Sequence, residues 1–167
     1  MSNRRDVLLS ALRDAYAMER YAERLLRIHA AGSISNPDVN VRIEAHLLET
    51  LAYQKSLASC IARIDESGDT PRALTDDSEV PVIQTRVVAQ SPDELVTHLQ
   101  NLYSFKHQEI ASYTSLIAIA EASGFFETKI ACETIILQQI AMANWLLERL
   151  SAAATAYLGR DASQNES

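Results

Sequence analysis

The chain has 167 residues, with 15 lysines and arginines against 22 aspartates and glutamates, for a net charge of −7. That length allows one domain to bury its own core, and an acidic chain without a local Lys/Arg cluster is a poor non-specific binder of nucleic acid. Apolar runs are short or broken by polar residues, so no membrane span is expected, and Asp6, Arg13 and Asp14 break any signal-like stretch behind Arg4 and Arg5.

Cys60 and Cys132 are solitary, without the paired spacing of a zinc or redox motif. They read as buried core thiols in a soluble protein of the reducing cytoplasm.

The chain has four glycines, and each follows a stretch of helical periodicity, where a left-handed C-terminal cap needs a residue without a side chain. The first helix, about 4–31, starts after Asn3 and ends before Gly32. Its apolar stripe runs Leu8, Leu12, Ala15, Glu19, Ala22, Leu26 in steps of four and three. Asn36, Pro37 and Asp38 supply a cap, a first-turn proline and an acid for the second helix, about 37–67. Here the stripe is Val39, Ile43, His46, Thr50, Tyr53, Leu57, Cys60, Ile64, with Glu49 beside the line on the side of His46.

Residues 68–91 contain Pro71, Asp76, Asp77 and Pro81 and an apolar stretch from Val80 to Val88. Fully extended, they could span more than a bundle's length. Ser91-Pro92-Asp93-Glu94 forms a capping box for the third helix, about 92–123, whose stripe is Leu95, Leu99, Leu102, Lys106, Glu109, Tyr113, Leu116. The fourth, about 127–158, is entered through Phe125 and Phe126 and offers Cys132, Ile136, Gln139, Ala143, Leu146, Leu150. Trp145, Met142 and the run Ile135 to Leu137 read as core. After Gly159 the tail 160–167 is small and polar and is expected to be disordered.

Short links make helices one and two, and three and four, antiparallel neighbours, whereas 68–91 is long enough to return along the bundle. The predicted fold is all-α: residues 1–159 form a four-helix bundle of two hairpins joined by a long crossover, which is the ferritin-like order.

Glu19 and Glu49 lie thirty positions apart, and the same interval separates Glu109 from Gln139. All four sit near mid-helix at the apolar seam, where a buried carboxylate requires a counter-charge or hydrogen bonds. A metal is the simplest partner. The di-metal plan of such bundles takes a lone Glu from each of two helices and Glu-x-x-His from each of the other two. Glu19 and Glu109 fill the lone positions. Position 52, three after Glu49, is Ala, and the nearby imidazole is His46, one turn the other way. Gln139 replaces the fourth acid, and Met142 follows it at the position of the second histidine.

Three carboxylates leave two divalent ions under-neutralised, so a full di-iron centre is disfavoured. Two alternatives stay open: one ion held by some of Glu19, Glu49, Glu109 and His46, or no ion, with carboxyl groups protonated or hydrogen-bonded to Gln139, Tyr16 and Tyr53. His107 lies on another face from Glu109, and His29 and His98 are far from mid-bundle.

Leu12-Arg13-Asp14-Ala15-Tyr16-Ala17-Met18-Glu19, Ile43-Glu44-Ala45-His46-Leu47-Leu48-Glu49-Thr50, Glu109-Ile110-Ala111-Ser112-Tyr113-Thr114-Ser115-Leu116 and Met142-Ala143-Asn144-Trp145-Leu146 resemble the bacterial YciE/YciF ferritin-like family, YciE more closely. The resemblance implies a ferritin-like bundle, a dimer-based homo-oligomer, a link to stress responses and no established reaction. The family's glutamates match Glu19, Glu49 and Glu109. Where it carries two adjacent glutamates in helix four, this chain has Gln138 and Gln139, and its following aspartate is Asn144.

The leading expectation is thus a stress-associated protein with an incomplete carboxylate site, non-catalytic or weakly metal-binding, holding iron or another divalent metal at partial occupancy or not at all. Against it stand a di-metal redox protein using Glu19, Glu49 and Glu109, completed by Gln139 and water, and a bundle that binds a small molecule or partner helix in its interior.

Overall fold

The structure, a computed structural model, describes residues 3–31, 36–65 and 92–164. Four helices account for these residues: α1 (Arg4–Ala31), α2 (Pro37–Asp65), α3 (Pro92–Ala122) and α4 (Phe126–Gln164). The predicted crossover 68–91, Gly32, Gly68 and the capping Ser91 lie outside the described residues.

Local chemistry sets the visible ends. The Asn36 side-chain oxygen accepts from the amides of Asp38 (3.1 Å) and Val39 (3.3 Å), capping α2 as its sequence predicts. Gly124 adopts φ +81° between α3 and α4. Around it the Phe125 amide donates to the Ala120 carbonyl (2.9 Å) and the Gly124 amide to that of Glu121 (3.1 Å), the paired bonds of a Schellman cap. The expected end at Gly159 is not observed: α4 continues to Gln164. A single glycine costs an exposed helix only about 1 kcal/mol, and the alanine-rich turns before it sustain the helix.

The N-terminus of α1 lies beside the C-termini of α2 and α3. Arg5 donates to the last carbonyls of α2, Ile64 (3.0 and 2.8 Å) and Asp65 (3.2 Å), while Arg4 donates to Ala122 (3.0 Å). Arg63 pairs with Glu127, so the end of α2 also meets the start of α4. Every neighbouring pair therefore runs antiparallel, and α2 ends at the opposite pole from the start of α3. Packing is closest within the hairpins α1–α2 and α3–α4.

The leucines that frame Glu19 and Glu109 at seven residues on either side, Leu12, Leu26, Leu102 and Leu116, are all buried. The apolar core falls into two clusters. One, around Leu12, Leu57, Tyr113, Leu116 and Cys132, fills the pole nearer the α1 N-terminus; the other, around Leu26, Ile43, Leu99, Met142 and Leu146, fills the far pole. Glu19, His46, Thr50, Lys106, Glu109 and Gln139, all fully buried, form the polar layer between them. One expected core residue is outside: Ile135 is buried, but Leu137, two positions or about 200° further round α4, is 68% exposed.

Candidate functional site

Glu19, Glu109 and Gln139 meet at mid-bundle as their spacing predicts, but a fourth group is built in among them. The Lys106 ammonium lies 2.5 Å from a Glu109 carboxylate oxygen and donates to the Gln139 side-chain carbonyl at 3.0 Å. Residues three apart on a helix share a face, so α3 delivers cation and anion together. The Gln139 amide donates to Glu19 Oε1 (3.1 Å) and, at 3.4 Å, to Glu109 Oε1. The Tyr113 hydroxyl donates to the same Glu19 oxygen at 2.7 Å. Gln139 thus joins three helices, taking a hydrogen bond from Lys106 and giving one to each acid.

Lys106 and Tyr113 were not recognisable as site residues from glutamate spacing alone. The signal was nevertheless present, because both lie on the buried stripe of α3, where a lysine is more costly than a glutamate is informative. The tyrosines expected to serve the carboxylates do not: the Tyr53 hydroxyl is buried without a hydrogen-bond partner among the described residues, and Tyr16 packs at the edge of an apolar cluster.

Glu49 takes a different place from the other two acids. It is 32% exposed, at the rim, where it pairs with Arg42 (3.2 Å) and accepts from His46 Nδ1 (2.6 Å). The His46 hydrogen bond, foremost, holds its carboxyl below the usual range. An ionised carboxylate only accepts, so His46 carries its proton on Nδ1. Burial, and secondarily Lys106, holds the His46 pKa down at about 4, so the ring is neutral and Nε2 presents a bare lone pair. That atom, Thr50 Oγ1 and Glu19 Oε2 are all buried and without a hydrogen-bond partner among the described residues.

Burial pushes Glu19 up to about 8, reinforced by the charge of Glu109. Burial also raises Glu109, but there the Lys106 ammonium opposes it at contact distance. The Glu19 carboxyl therefore keeps its proton near neutral pH, while Lys106 stands at contact distance from Glu109. The layer carries its own cationic side chain beside its carboxyls without any added ion.

The bundle's polar layer thus resembles a metal centre in position but not in chemistry. The family comparison agrees in placing the chain among such bundles. The chain belongs to the DUF892 family, a domain of unknown function, whose pattern matches residues 3–159. This is consistent with the YciE/YciF resemblance of its four segments. Protein XCC3681 from Xanthomonas campestris pv. campestris is 33% identical, with a TM-score of 0.76 over 95% of this chain and 99% of that one. The Escherichia coli stress protein YciF is 21% identical, with a TM-score of 0.75 over 93% and 99%. A Desulfovibrio desulfuricans bacterioferritin, described with a di-iron site, is 15% identical, with a TM-score of 0.72 over 96% and 91%. The fold is ferritin-like.

The residues of this chain do not fit the di-metal centre that the fold implies. Among the described residues no three His, Cys, Asp or Glu side chains are grouped to hold an ion. Glu49 is engaged at the rim, and an ammonium already occupies the cation position beside Glu109. An incoming divalent ion would meet that charge in a medium that screens it poorly.

Two further residues meet unexpectedly. His29 and His98, at the far pole, approach Nδ1 to Nδ1 at 3.1 Å, both buried, with ring planes at 84°. One ring must donate and the other accept. Burial holds His29 down at about 4 and lowers His98 as well, so the pair is neutral. A shallow groove of about 100 Å³ between α1 and α3, edged by His29, Tyr21 and Phe105, opens beside it. Its volume is below the roughly 300 Å³ of typical small-molecule sites.

Proposed function

We propose that this chain is a ferritin-like protein of the stress-associated type in which a lysine has taken over the electrostatic task of the metal. Lys106 supports this reading: it supplies the positive charge that three converging helices require, and it does so without redox chemistry. The protein then acts as a binding or assembly component rather than by turnover. Its two buried free thiols suit a cytoplasmic setting. The stress association is carried over from the similarity to the Escherichia coli stress protein YciF.

Metal content decides the matter. Protein purified without a metal-affinity tag and without added metal is expected to hold only trace iron, manganese and zinc by elemental analysis, and to leave dioxygen and peroxide unconsumed. Two bound equivalents of iron or manganese that react with oxygen would replace this reading with the di-metal redox one, which requires the Lys106 ammonium to move aside.

A further inference from the structure

The polar layer leaves two features of the bundle without a role. One is the outer side of α4, whose side chains make Phe126–Gly159 long and apolar enough to cross a membrane, contrary to the expectation from the sequence, although its inner face carries Gln139 and Met142 into the buried core. The other is the histidine pair at the far pole.

His29 on α1 and His98 on α3 are 2% and 4% exposed, with their Nδ1 atoms 3.1 Å apart. Two imidazole nitrogens about 2.0–2.1 Å from a shared zinc ion stand about 3.3 Å apart in tetrahedral geometry and about 2.9 Å apart at right angles. The observed separation falls between these values, so both rings can ligate one ion after small shifts. Their hydrogen bond is no obstacle. If the donor ring carries its proton on Nε2 instead of Nδ1, both Nδ1 atoms present lone pairs, and the pair neither loses a proton nor gains a charge.

Among the described residues no third His, Cys, Asp or Glu joins the two rings, so further ligands must be of another kind. The groove of about 100 Å³ between α1 and α3 supplies them. It is lined by His29 and also by Asn101, which lies three residues after His98 and so on the same face of α3. Asn101 offers a side-chain carbonyl oxygen, and the groove has ample room for a water, which needs only about 10–15 Å³. Charge favours a cation here as well. Glu94, one turn before His98, places a negative charge within reach of that ring, and among the described residues no lysine or arginine charge acts on either imidazole. At mid-bundle the reverse holds, because Lys106 stands beside Glu109.

We propose that His29 and His98, with Asn101, form a binding site at the far pole for one divalent transition ion of the imidazole-preferring class, zinc foremost. The site is separate from the polar layer and does not depend on whether that layer holds metal. Two imidazoles, an amide oxygen and water hold an ion more loosely than four closed protein ligands, so it is expected to leave during purification and to return when zinc is supplied.

Untagged full-length protein, stripped with a chelator and titrated calorimetrically with Zn²⁺, is expected to bind one equivalent with micromolar affinity. His98→Asn keeps a hydrogen-bonding partner for His29 but removes one imidazole, and should weaken binding by more than about tenfold with unchanged helical circular dichroism. Imidazole nitrogen NMR of the wild-type chain needs no variant: Zn²⁺ should move the Nδ1 resonances of His29 and His98 and leave those of His46 and His107 in place. No binding at high micromolar Zn²⁺, full affinity in a folded His98→Asn, or shifts confined to His46 or His107 would overturn the assignment.

Discussion

The ammonium of Lys106 and the carboxylate of Glu109, one turn apart on α3 and 2.5 Å from each other, are both wholly shut off from solvent. Removing one partner leaves the other as an unpaired buried charge, whereas replacing both with apolar groups can be nearly neutral. Lys106→Met is therefore expected to destabilise the fold by about 3–5 kcal/mol, and Lys106→Met with Glu109→Leu by much less. Urea unfolding of the two single variants and the double variant measures the coupling; additive losses would show that the contact does not function as an ion pair.

The same lysine should set metal selectivity. Gln139→Glu alone restores the missing acid but leaves the ammonium in place, and is expected to bind no Mn²⁺. Adding Lys106→Ala should produce one bound equivalent by titration calorimetry. Equal Mn²⁺ binding by the two variants would remove Lys106 from the explanation.

Glu19 makes stability depend on pH in a defined sense. Its folded-state pKa of about 8 lies above the ordinary 4.5, so the folded protein retains a proton that the unfolded chain has released between these values. Its contribution is complete below pH 4.5 and is lost as pH rises through 8. Glu19→Gln keeps an acceptor for Tyr113 and Gln139 but cannot titrate. Compared with wild type it should gain stability on going from pH 5 to pH 8, on the order of a few kcal/mol. Parallel pH profiles for the two proteins would contradict the assignment of the proton to Glu19.

His29 and His46 act in the opposite direction. Both are held near 4, below the ordinary 6.5, chiefly by burial. The folded protein stays neutral there while the unfolded chain takes up protons, so stability falls as pH drops from 6.5 towards 4. Imidazole resonances followed by NMR should titrate with midpoints near 4 for these two rings. A midpoint near 6.5 for either would mean that its ring is hydrated.

Gly124, before α4, and Gly159, inside its last turns, should respond oppositely to alanine. A side chain at Gly124 meets no neighbour within 4 Å, so Gly124→Ala pays only for the left-handed backbone, about 1 kcal/mol. Gly159 lies within the helix in equally open space, so Gly159→Ala should stabilise by about 0.5–1 kcal/mol. Thermal unfolding distinguishes the signs, and destabilisation at Gly159 would indicate that the helix does not continue through it.

The chain's local patterns determined the four helices, the Asn36 cap of α2, the antiparallel hairpins and the convergence of Glu19, Glu109 and Gln139, because periodicity and capping are properties of neighbouring residues. Tertiary structure decided what those side chains do. A one-position offset from the stripe carried Glu49 to the rim to orient His46, and Leu137 to the outer surface. Packing α3 against α4 brought Lys106 to Gln139, and the antiparallel course of α1 and α3 brought His29 to His98. Residue spacing locates a polar group on a helix face; whether its neighbour is a metal, a proton or an ammonium depends on three other helices and on how little water they admit.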